Sequence, residues 1–150
     1  MREILFRGKR IDNGEWTEGY YATQSNHACF ASELKYQHFI YEDVCLDFNL
    51  GGLQKFEVDP DTIGQYTGLT DKNGKKIFEG DIIKHNNNSD NGFDIGKVYW
   101  DETRSQWRRT SIGNFHDSSF TYVMSRSCEY EIIGNIHDNP ELLKGDGENA

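Results

Sequence analysis

The sequence predicts a mainly β protein, and three observations carry that expectation. Short runs of β-branched and aromatic residues alternate with clusters of Gly, Asn and Asp too often to leave room for long helices. Asn-Gly pairs stand at Asn13-Gly14 and Asn73-Gly74, where a hairpin turn of type I′ asks for positive φ at both central residues. Aromatic residues reach 13% although hydrophobic residues total only 35%. A few large side chains, each burying roughly 150–250 Å², must therefore fill the interior, as suits small β barrels and rolls.

Residues 4–11 read as a first strand, Asp12-Asn13-Gly14 as a turn and residues 15–21 as the returning strand. Residues 23–55 are ambiguous. Residues 31–36 can open a short helix, Phe39-Ile40-Tyr41 and Val44-Cys45-Leu46 read as extended, and Gly51-Gly52 closes the stretch. Phe56-Glu57-Val58 leads into Asp59-Pro60-Asp61-Thr62, where proline fixes φ and Asp or Thr caps a turn. A boundary is expected there, between an N-terminal β-rich portion at 1–58 and a second portion at 59–143, followed by a flexible tail at 144–150; a single shared core is the alternative.

In the second portion, residues 63–70 precede a polar turn at 71–76, and Ile77-Phe78 turns inward before Glu79-Gly80-Asp81 opens a strand. A Gly-Asp pair of this kind is common at the rim of SH3-like barrels, where glycine permits a sharp bend. Residues 81–85, 96–100, 106–109, 120–124 and 130–136 make about five short strands, with a polar loop at 86–92. An SH3-like barrel or roll is the expected architecture. Asp138-Asn139-Pro140-Glu141-Leu142-Leu143 carries the cap, N1 proline and first-turn glutamate of a short C-terminal helix.

The formal net charge is −9, with 6 basic and 9 acidic residues in 1–58 and 10 and 16 in 59–150. The imbalance is spread along the chain, which speaks for solubility and disfavours duplex DNA as a default partner. DNA mimicry is a second reading of the acidity, but it needs a spaced carboxylate stripe that a sequence alone does not display. Cys29, Cys45 and Cys128 form no CxxC pair, so neither a disulfide framework nor a zinc cage is indicated. The opening residues lack the apolar core of a signal peptide, and no stretch approaches the length of a membrane span. A cytoplasmic protein without membrane contact is expected.

His27, His38, His85, His116 and His137 show no metal-ligand spacing, so no metal or other cofactor is expected. Ser118 and Ser119 lie beside His116-Asp117 without a nucleophile elbow. The pairs Glu79 with Asp81 and Asp59 with Asp61 flank turn residues and read as caps rather than as a general acid and base. No catalytic residue is assigned.

The candidate partner-binding residues are Trp100, Arg104, Trp107, Arg108 and Arg109, where aromatic and basic side chains interleave around the turn at 101–106. Three readings stand together. The tryptophans fill the core while the arginines are solvated; or the set forms a protein interface, where Trp and Arg act as anchors; or Trp107, Arg108 and Arg109 stack and neutralise a single-stranded nucleic acid.

Several of these segments resemble the YopX family of phage and prophage proteins. Phe6-Arg7-Gly8-Lys9 with Trp16 and Gly19, residues 63–69 with Asp71 and Asn73-Gly74, residues 77–82, and residues 133–142 carry the likeness, which spans roughly 4–143. The resemblance implies a phage or prophage gene product acting in a bacterial host cell, a mainly β fold containing an SH3-type barrel, and self-association. It implies no activity and transfers no catalytic residue. The expected function is a non-enzymatic binding or assembly module contacting itself or a host or phage protein. A single-stranded nucleic-acid binder is the alternative, and an unrecognised hydrolase with a scattered site is the third.

Overall fold

The computed structural model describes residues 3–25, 35–46, 50–87, 92–110, 118–119 and 130–144. The chain is mainly β, and it divides into two units, Met1–Tyr66 and Thr67–Ala150.

In the first unit, the Asn13-Gly14 turn joins β1 (Phe6–Lys9) to β2 (Trp16–Ser25), with Gly14 at φ 73°. The register puts Phe6 opposite Gly19 and Lys9 opposite Trp16. β3 (Tyr36–Leu46) and β4 (Leu50–Glu57) extend the sheet, so the ambiguous stretch is a hairpin as far as it is described. Gly51-Gly52 does not end it. These glycines lie inside β4 opposite Cys45 and Val44, held by pairing to β3.

β5 (Gly64–Thr70) opens beside β1, giving the order β4-β3-β2-β1-β5. The two ends of the β1 to β4 row also meet. Arg10 bridges Val58, the Ile11 amide donates to the Glu57 carbonyl at 3.0 Å, and the Asp59 amide donates to the Lys9 carbonyl at 2.8 Å. Ile40 and Val58 are buried in this curled sheet.

Backbone crowding accompanies the curl. A Cβ on Gly19 would lie 2.1 Å from the Tyr41 carbonyl oxygen, closer than any side chain tolerates, so only glycine lets β2 and β3 approach here. The turn after β4 is a single 3₁₀ turn at Pro60–Thr62. Its cap, Asp59, accepts from the Asp61 amide, while the Thr62 hydroxyl accepts from the Lys9 amide at 2.8 Å.

In the second unit β5 is followed by β6 (Lys76–Phe78) as its hairpin partner. A further sheet contains β7 (Asp81–Asn87), β8 (Gly92–Asp101), β9 (Gln106–Arg109), β10 (Ser118–Ser119) and β11 (Tyr130–Asn135), in the order β10-β9-β8-β7-β11. Its core is Ile77, Ile83, Val98, Trp107 and Tyr130, with Leu69 and Ile132 packed against it.

Side chains of the turns fix the strand entries. The buried Asp71 accepts hydrogen bonds from the amides of Asn73 (2.8 Å) and Lys75 (2.9 Å) through one oxygen and of Ile132 (3.3 Å) through the other. Asp81, also buried, accepts from the Phe78 amide at 2.8 Å and closes a turn in which Gly80 takes φ 82°. Asn135 accepts from the amides of His137 and Asp138, both at 2.9 Å.

Two expectations are corrected. Among the described residues the second sheet does not close into a barrel: β10 and β11 stand at its two edges. The outward Tyr130 carbonyl and Ile132 amide of β11 are taken by the Lys72 amide and the Asp71 carboxylate, so they do not pair with another strand. The C-terminal helix is a single 3₁₀ turn at Pro140–Leu143. Asn139 makes no side-chain cap bond and Lys144 is already extended, so the turn closes on i to i+3 bonds and no α-helical ladder propagates. The strand expected at 120–124, His27, Cys29, His116, Asp117, Cys128 and the tail beyond Lys144 lie outside the described residues.

The crowding at Gly19 predicts that Gly19→Ala costs about 2 kcal/mol or more, because the neighbour it meets is backbone. Gly14→Ala, which meets open space and suffers only from its positive φ, should cost about 1 kcal/mol. Urea denaturation midpoints, at unchanged slope, measure both.

Candidate functional site

The hairpin of β8 and β9 gathers all five candidate residues. Val98 faces Arg109, Tyr99 faces Arg108, Trp100 faces Trp107 and Asp101 faces Gln106. Side chains alternate across a sheet, so Val98, Trp100, Trp107 and Arg109 share one face, and Tyr99, Asp101 and Arg108 share the other. The turn between the strands is closed by Ser105 in the left-handed region, at φ 50°.

Gathering does not make these residues accessible. Trp107 is 7% exposed and belongs to the core, with its ring edge-on to Trp100 at 5.1 Å between centroids. Its indole N–H is buried and finds no acceptor among the described residues. Arg109, 6% exposed, pairs with Asp94 at 2.5 Å, and its guanidinium lies 5.9 Å from the centre of the Tyr130 ring. Arg108 lies 3.6 Å from Asp101 with both side chains largely covered. Only Trp100, at 37% exposure, and the Arg104 side chain, at 61%, reach solvent.

The electrostatics tie the cations inward. Asp101 accepts from the backbone amide of Arg104 at 3.1 Å and from its guanidinium at 3.0 Å. Burial is the largest influence on the Asp101 carboxyl and acts upward, but the Arg104 hydrogen bonds and the charges of Arg104 and Arg108 hold it below its usual value. Burial likewise pushes the Tyr130 phenol up, against the opposing pull of Arg109, so it stays protonated at neutral pH. Of the three sequence readings, the tryptophan half of the first describes Trp107. Arg108 and Arg109 are not solvated, because Asp101 and Asp94 supply the charges that make their burial tolerable.

A row that the sequence did not disclose crosses the same sheet. Tyr130 on β11 lies opposite His85 on β7, and His85 lies opposite Asp94 on β8, which pairs with Arg109 on β9. The Tyr130 and His85 rings stand 5.0 Å apart. A phenol, an imidazole, a carboxylate and a guanidinium thus sit on four strands, brought together by strand pairing alone. Asp94 is spent on Arg109, so the row is organised as a charge pair flanked by aromatic rings. Among the described residues, no group of three or more His, Cys, Asp or Glu side chains is placed to hold a metal ion. Among the described residues no helix is long and apolar enough to cross a membrane.

The fold and site therefore define a two-unit antiparallel β protein whose most suggestive charged residues are engaged within its own sheets. The family model described as YopX protein matches residues 6–144, and the chain belongs to the YopX family. The crystal structure of protein EF1440 from Enterococcus faecalis is similar in fold, with a TM-score of 0.52 at 22% identity over 96% of this chain and 100% of that one. No curated protein sequence matches.

The burial pattern sets two expectations. Trp107→Ala should cost about 3–5 kcal/mol, as for a large aromatic removed from a core. Trp100→Ala should cost only about 1 kcal/mol, the scale of one edge-on ring contact. Thermal or urea unfolding of the two variants measures the difference, and equal costs would contradict the placement of Trp107.

Proposed function

We propose that this protein is a non-enzymatic assembly module that joins a second copy of itself through the outer edge of β4. One observation carries the reading. The Val58 amide donates to the His38 carbonyl, so the alternation of an antiparallel ladder turns Phe56 and Gln54 toward β3 and turns Lys55 and Leu53 away from it. The Glu57 carbonyl, also outward, accepts from Ile11, but among the described residues no strand pairs with Leu53 or Lys55 on that side. An edge of this kind is a template for strand addition.

Exposed side chains support the same surface. Tyr20 on β2 lies opposite Tyr41 on β3, which lies opposite Lys55 on β4, and Leu53 is the next residue on that face. Tyr20 and Leu53 are 57% and 61% exposed and place apolar area on the face beside this edge. The family likeness supports a phage or prophage setting inside a bacterial cell, and a host or phage protein is the other partner class. A single-stranded nucleic acid is less well served, since Trp107, Arg108 and Arg109 offer little surface to bases or phosphates.

Proline at an outward position of an edge strand removes a donor without touching the ladder, whereas proline at an inward position breaks it. Leu53→Pro should keep the wild-type circular dichroism spectrum and reduce the mass in light scattering to that of a monomer, while Gln54→Pro should lose folded structure. A wild type that is monomeric at every concentration, indistinguishable from Leu53→Pro, would sink the proposal.

A further inference from the structure

The two sheets treat their edges differently. β11 closes one side of the second sheet, and its outward groups there are the Tyr130 carbonyl and the Ile132 amide, while Glu131 pairs inward with Lys84. In a parallel strand pair, one residue of the incoming strand would donate its amide to the first of these groups and accept from the second with its carbonyl. The turn after β5 supplies both contacts from two neighbouring residues. The Lys72 amide donates to the Tyr130 carbonyl at 2.9 Å, and an Asp71 carboxylate oxygen accepts from the Ile132 amide at 3.3 Å.

We infer that Asp71 and Lys72 form a surrogate strand, in which a side-chain carboxylate stands where the carbonyl of an added strand would be, and that this device bars β11 from pairing with a second chain. The rest of the turn holds the surrogate in place. The other Asp71 oxygen is fixed by the Asn73 and Lys75 amides, Gly74 donates to the Asp71 carbonyl at 2.9 Å, and Lys72 pairs with Glu131 at 2.6 Å. Asp71 is buried, so the carboxylate is a built component of the edge. Unguarded edges associate, and proteins cover them with loops or charge. Here a loop and a charge do so together.

Asp71→Asn keeps one oxygen for the turn amides and replaces the other acceptor with an amide group that has no lone pair to offer Ile132. In the Leu53→Pro background, where the edge of β4 is closed, this variant should exchange the Ile132 amide roughly tenfold faster. Its mass in light scattering should rise with concentration. Glu131→Ala, which removes only the exposed ion pair, should do neither. If Asp71→Asn does not fold, Lys72→Pro, which removes the donor to Tyr130, takes its place with the same expectation for association. An edge opened by hydrogen exchange yet monomeric at every concentration would overturn the inference, as would an Ile132 amide whose exchange does not change. The Leu53→Pro background keeps this outcome separate from any failure of assembly through β4.

Discussion

The second unit depends on one buried carboxylate. Asp71 binds three amides, two within its own turn and one on β11, 61 residues further along the chain. Without it, the hairpin of β5 and β6 would keep only the backbone bonds of its turn, and the Ile132 amide on the edge of β11 would lose its acceptor. Burial alone would drive this carboxyl toward its neutral form. The amides of Lys75, Asn73 and Ile132 outweigh that effect and hold it below the usual carboxylate value. A charge inside the fold is tolerated because three backbone donors are aimed at it.

The same economy of turns extends to other positions that carry the family likeness. Asp81 closes the entry to β7, Asn135 closes the exit from β11, and Gly19 allows a strand approach that no Cβ would survive. Gly134 is similarly placed, since a Cβ there would meet the Asn139 side chain at 2.5 Å. These residues specify backbone geometry. Within the span that the YopX family model matches, residues 6–144, these positions are occupied by residues that serve the backbone.

Much of the scaffold was legible in the chain. Asn13-Gly14 and Asn73-Gly74 marked the places of their turns but not the turn type. Only Gly14 and Gly74 take positive φ, the asparagines do not, and the expected type I′ geometry gives way to turns closed by a left-handed glycine. Pro60 and Asp59 marked theirs. The candidate site was not legible, because arginine at consecutive positions reads as a solvated pair. Arg108 and Arg109 point to opposite faces, and each, largely covered, has a carboxylate of β8 beside it, Asp101 or Asp94. Which carboxylate meets which guanidinium is decided by register. Tyr130 and His85 meet for the same reason, across 45 residues of chain. Among the described residues no barrel closes, and the outward groups of β11 are met by Asp71 and Lys72 instead of by a strand.

The most direct test is a carbon-detected NMR titration of the Asp71 carboxyl in the folded protein. A carboxyl whose folded-state pKa is depressed contributes stability that is present above its unfolded value and lost as pH falls through the folded value. The account predicts a midpoint below the ordinary 3.8, with the Ile132 amide resonance shifting in the same step. A midpoint at or above 3.8, or an Ile132 amide that ignores the titration, would contradict the claim that this ionised side chain joins the turn to β11.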